Sequence, residues 1–127
     1  MLVNNASTTK RIPTLLVSTQ DYDALLAINL TAAFEISRLL YPLLMSAAGV
    51  IVNVASVAGL AWLPNSTPYG MAKAGLIQMT RALAVEWAAD GICANSVVPW
   101  FTRTTLIKER LADNRTKDLI EQHTPVG

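Results

Sequence analysis

The chain has 127 residues, 52% of them hydrophobic and 15% charged, with a formal net charge of +1 at pH 7. That length suits one domain around a single core, and a near-neutral charge without blocks of like sign excludes an electrostatic case for nucleic acid. One cysteine and a polar start (MLVNNAS) point away from secretion and toward a cytoplasmic protein, and the lack of any apolar run of about 20 residues argues against a membrane span.

The first apolar run, LV at 2–3, reads as a strand. A helix is expected over residues 19–45, with Thr19 capping and Asp21 and Asp23 in the first turn. Its apolar residues (Tyr22, Leu25, Leu26, Leu30, Phe34, Leu40, Leu44) spread widely around the axis, which predicts burial against its own sheet and against something further. VIVNVA at 50–55 and ICANSVV at 92–98 are mostly apolar without clean alternation, as parallel strands covered on both faces are. Cys93, in the last of these, reads as a small buried core residue. Between them a second helix is expected over 68–89, with Pro68 in its first turn, a stripe of Leu76, Met79, Leu83 and Trp87, and a stop at Asp90-Gly91. Residues 106–122 read as one or two short helices over a sheet edge. His123 has no partners at metal-ligand spacing, so a surface role and no metal site are expected.

Strand, helix, strand, helix, strand, helix is the order of an open α/β sheet built by right-handed crossovers. Sites in such sheets lie beyond the carboxyl ends of the strands. Residues 4–8, 56–59 and 99–104 should therefore share one rim.

On that rim the chemistry gathers at PYGMAKAG, residues 68–75. Tyr69 and Lys73, four apart, share a helix face. A phenol with an ordinary pKa of ~10 exchanges protons poorly near neutrality, and a neighbouring ammonium favours its phenolate. Such a tyrosine can give a proton to a carbonyl oxygen or take one from an alcohol. Ser56, thirteen residues before Tyr69, could hold the substrate oxygen beside it. By itself a Tyr-x-x-x-Lys pair arises by chance in about one such chain in ten, and Tyr69 alone would read as a packed tyrosine.

Read together, five pieces carry more: LVNNAS at 2–7, INL at 28–30, IVNVASVAG at 51–59, YGMAK at 69–73 and ICANSVVPWFTRT at 92–104. In order and spacing they resemble the short-chain dehydrogenase/reductases. NNASTTKRIPT at 4–14, VEWAADGI at 85–92 and PWFTRT at 99–104 are similar to the tropinone-reductase-like branch. The resemblance implies part of a Rossmann-type doubly wound parallel sheet, with residues 1–127 as one partial domain. It implies Tyr69 as catalytic acid/base, Ser56 as the group orienting the substrate oxygen, and Lys73 as the residue that tunes the tyrosine and bonds the nicotinamide ribose. Asn29 would anchor a water linking Lys73 to solvent, or else merely satisfy backbone groups within its helix. Asn5, Pro99, Thr102 and Thr104 would line the cofactor alongside Tyr69 and Lys73, Thr104 meeting the carboxamide or simply capping the C-terminal helix. The cofactor would be NAD(H) or NADP(H). Homo- or hetero-oligomers would form through helices 19–45 and 68–89.

The chain also departs from that pattern. None of its six glycines forms the glycine-rich turn that lets a pyrophosphate approach a helix N-terminus. The resemblance therefore implies that about 80 residues carrying the first mononucleotide half, and the final strand, are absent. Ser7 stands where the family has glycine, adding bulk beside the cofactor. Two expectations follow. One is an oxidoreductase interconverting a ketone and a secondary alcohol through Tyr69, Lys73, Ser56 and Asn29. The other is a catalytically inactive fragment that acts, if at all, as an oligomerisation partner of longer relatives.

Overall fold

The computed structural model describes residues 1–102, 118, 120–122 and 124. Three strands, β1 (Leu2–Asn4), β2 (Val50–Val54) and β3 (Cys93–Val97), pair in the order β1-β2-β3. Both pairings are parallel, with Asn4 opposite Asn53 and Val54 opposite Val97. All three strands thus end on one rim, as the sequence predicts.

The first crossover is broken where one helix is expected. It runs as α1 (Thr19–Leu26), a π-helical turn (Ala27–Thr31), α2 (Ala32–Leu39) and α3 (Tyr41–Ser46). Pro42, near the start of α3, has no N–H to give back to the preceding turn, so the helix breaks at Leu40. The cap is Ser18 rather than Thr19: its hydroxyl accepts the Asp21 N–H at 3.0 Å. The second crossover is α4 (Thr67–Glu86), with Pro68 in its first turn, followed by a 3-10 turn, Ala88–Asp90. Gly91 ends it in the left-handed region at φ 73°, which L side chains resist.

Sheet and helices bury two apolar clusters. One holds Leu44, Ile51, Leu83, Ile92 and Ala94, with Met79 and Trp87 packed at its border, and the other Ala33, Ala55, Leu76 and Ile77. Between them runs a polar seam. Asn4 Nδ2 donates to Ser37 Oγ at 3.2 Å and to Asn53 Oδ1 at 2.8 Å. Asn53 Nδ2 donates to Thr80 Oγ1 at 2.8 Å, and that hydroxyl donates to Leu76 O at 2.7 Å. The seam ties α2, β1, β2 and α4 together at one level. Each of its buried polar groups is satisfied, as burial requires.

The expectation of strands covered on both faces is not met. Ile51, Asn53, Ala55 and Ala94 are buried beneath the helices, while Val3, Cys93, Asn95 and Val97 are exposed. Both crossovers step the same way across the sheet, so right-handed connections put both helical layers on one side. Cys93 is accordingly exposed and not a core residue. Of the expected C-terminal helix, Asp118 and residues 120–122 are helical. The rest of that segment, with Thr104 and His123, lies outside the described residues.

Candidate active site

Helix α4 carries the half-buried Tyr69 and then Lys73, Leu76, Ile77, Thr80 and Leu83, all five of them buried. Lys73 is itself only 1% exposed. Its Nζ donates to the carbonyl of Val54, the last residue of β2, at 2.8 Å, and lies 5.7 Å from the Tyr69 ring centroid. That distance is within the range of a cation–π contact. Burial disfavours the charged amine and lowers its pKa to about 8. The ammonium has three donors, and one is committed to Val54.

Ser56 follows β2 directly. Its backbone is extended (φ −167°, ψ 153°), and its Oγ accepts the Ala58 N–H at 3.2 Å, capping the 3-10 turn Val57–Gly59. The same turn is tied to the end of β3, since Val57 N–H donates to Pro99 O at 3.1 Å. Pro99 is thereby fixed beside Ser56. Thr102 is exposed, and its Oγ1 donates to Trp100 O at 3.3 Å.

Asn29 sits in the π turn, 1% exposed. Its Oδ1 accepts from Ser7 Oγ at 2.7 Å and from Thr8 N–H at 3.2 Å. Its Nδ2 donates to Thr8 O at 2.9 Å and to Leu25 O at 2.8 Å. An amide side chain has two donors and two acceptor lone pairs, so all four positions are filled within the chain. The side chain thus satisfies backbone groups across to the rim loop as well as within its helix. Ser7, anticipated only as added bulk, supplies one of the four bonds. Asn5 is exposed beside it and helps line a cleft of about 140 Å³ with Ala6, Ile28, Asn29 and Ile36.

Tyr69, Lys73, Ser56 and Pro99 thus come together on the rim, with Asn29 and Asn5 beyond them at the end of β1. The sequence reading missed the seam, although Asn53 inside an apolar strand and Thr80 seven positions after Lys73 were its visible signs. A nicotinamide cofactor fits this rim in part. The remaining Lys73 donors suit ribose hydroxyls, whereas the described glycines are spent on packing. A Cβ at Gly49, Gly59, Gly70 or Gly75 would stand within 3.0 Å of the chain's own atoms. Among the described residues no glycine cradle remains for a pyrophosphate. No metal-binding cluster of His, Cys, Asp or Glu occurs among them either.

Known proteins resemble the chain in sequence and in fold. The sequence model of the family described as Enoyl-(Acyl carrier protein) reductase matches residues 1–127. Two tropinone reductase homologs of Arabidopsis thaliana are 40% and 43% identical over 128 aligned positions. Those alignments take in 100% of this chain but 48% and 47% of the relatives, so the chain spans about half the length of the curated relatives it matches. A gluconate 5-dehydrogenase from Burkholderia cenocepacia, solved with NADP and tartrate, superimposes with a TM-score of 0.94 at 29% identity, over 99% of this chain and 50% of that one. A 4-hydroxyisoleucine dehydrogenase complexed with NADH gives 0.92 at 30%, over 98% and 52%.

Proposed function

Because the chain belongs to the short-chain dehydrogenase/reductase family, in its tropinone-reductase-like branch, we propose that it carries the acid/base half of a nicotinamide-dependent oxidoreductase acting on a ketone or secondary alcohol. The observation that carries the reading is the buried Lys73 ammonium beneath the Tyr69 ring, with Ser56 on the adjoining turn. A bound NAD(H) or NADP(H) supplies or accepts the hydride.

The chain's own residues handle the proton. In reduction, Ser56 Oγ–H orients the carbonyl oxygen, and Tyr69 gives its phenolic proton to that oxygen as the carbon receives hydride. The product is the alcohol, and the phenolate left behind recovers a proton from solvent. Lys73, itself almost wholly buried, faces the developing phenolate with positive charge. Its spare donors are available to the ribose. Asn29 keeps the loop after β1, and Asn5 with it, against the cofactor side. Pro99 and Thr102 form the opposite wall, and contact with the carboxamide is assigned to Thr104. Oligomers form through the outer surfaces of α1–α4, where Phe34, Leu39, Leu43, Met71 and Val85 are exposed.

A second reading is favoured by one observation, the lack of a glycine cradle among the described residues. On it the chain is inactive and acts as a partner of longer relatives. Fluorescence titration with NADH and NADPH, followed by ketone turnover, separates the two. We expect binding of one cofactor and a fall of about 10²–10⁴ in kcat for Tyr69→Phe. No binding of either, with the chain recovered in complex with a longer homologue, would leave the second reading standing.

A further inference from the structure

The 3-10 turn Val57–Gly59 and helix α4 meet backbone to backbone at two glycines. A Cβ on Gly59 would stand 2.7 Å from Ala74 N and Lys73 C and 2.9 Å from Lys73 O. A Cβ on Gly70, from the helix side, would stand 2.9 Å from Ala58 O. The obstructing atoms are main chain and cannot rotate aside. Gly75 differs, because a Cβ there meets Leu30 Cδ2 at 2.9 Å, the end of a flexible side chain.

Nor can the turn retreat freely. Ala55 N–H donates to Val97 O at 2.9 Å and Val57 N–H to Pro99 O at 3.1 Å, so the turn is fastened to the end of β3. Any side chain at Gly59 or Gly70 must therefore part the turn from α4. That parting opens the junction beside which Lys73 Nζ donates to Val54 O and on whose two sides Ser56 and Tyr69 lie.

We infer that Gly59 and Gly70 are positioning residues: their missing side chains seat the Ser56 turn on α4 and so set Ser56 against Tyr69 and the Val54 carbonyl against Lys73. The catalytic consequence rests on the oxidoreductase reading above, but the seating does not, and the two can fail separately.

The test uses Gly59→Ala and Gly70→Ala in the full chain, with Gly75→Ala as comparator. The pH dependence of Lys73 acetylation by limiting acetic anhydride, followed by mass spectrometry of its peptide, reports the seating directly. The wild-type midpoint should lie near about 8. Both positioning variants should move it up by about one pH unit or more, toward the ~10.4 of a solvated lysine. Gly75→Ala should leave it in place. Circular dichroism establishes which variants fold. Gly70→Ala keeps the test open if Gly59→Ala does not, because alanine is the better helix former and its Cβ meets one oxygen.

Folded variants with unmoved midpoints would overturn the inference. Where the wild type turns over a ketone, Gly70→Ala should lose about ten- to a hundred-fold in kcat with little change in KM. An unchanged kcat would overturn it as well. A wild-type chain that binds cofactor neither alone nor in turnover sinks the oxidoreductase reading, and the lysine midpoints then decide the seating by themselves.

Discussion

Lys73 is the residue whose environment says most. An amine 1% exposed, held by one carbonyl and one aromatic ring, costs stability while it is charged. Unfolded, it keeps its proton to ~10.4; folded, it releases it near about 8. Between those values the unfolded chain binds more protons, so stability rises with pH across that window. Relative to Lys73→Met, the wild type should gain about 2–3 kcal/mol from pH 8 to 10.5, read from urea midpoints at each pH. A difference that does not change with pH would contradict a buried ammonium. The pairing of Lys73 with Tyr69 was legible in the sequence because four residues along a helix is a fixed angle. The Val54 carbonyl was not, because a main-chain acceptor carries no side-chain signature. The occupancy of Asn29 was hidden for a similar reason: three of its four bonds go to backbone groups.

At the level of elements, strand order and parallel pairing could be read from the alternation of apolar runs with helical stretches. Unbroken continuity of the first helix was read wrongly. Its apolar residues spread around the axis in a way that a single straight helix would explain only by burial on two sides. A π turn at Ala27–Thr31 and a break at Leu40 rotate the later turns instead. Pro42 was the available sign of the break, whereas nothing in the composition of AINLT marks a π turn. The polar seam makes a testable claim about how these elements hold register. Thr80→Val keeps the shape of the side chain but leaves Asn53 Nδ2 without its acceptor. An unpaired buried donor costs about 1–3 kcal/mol, so the urea midpoint should fall with the slope unchanged. A loss below a few tenths would mean that water takes the vacant place.

At the largest scale the decisive fact is that the described residues clothe the sheet on one side. The sequence promised two-sided cover because apolar runs of five or six residues are what buried strands look like; it could not say which residues would provide the second layer. On the uncovered side Val3 and Val97 are 49% and 50% exposed, and β1 has no partner on its outer edge among the described residues. Exposed apolar edge strands invite pairing with other chains. Light scattering should therefore show the average mass climbing with protein concentration, and Val3→Lys should flatten that climb. An equal climb in the variant would shift attention to the apolar outer surface of α2 and α3. The uncovered side also holds Cys93, the only thiol in the sequence. A fluorophore or spin label attached there needs no engineered cysteine and stands on the very surface in question. Its quenching or immobilisation would announce, without disturbing the Tyr69 rim, the arrival of whatever molecule closes the sheet.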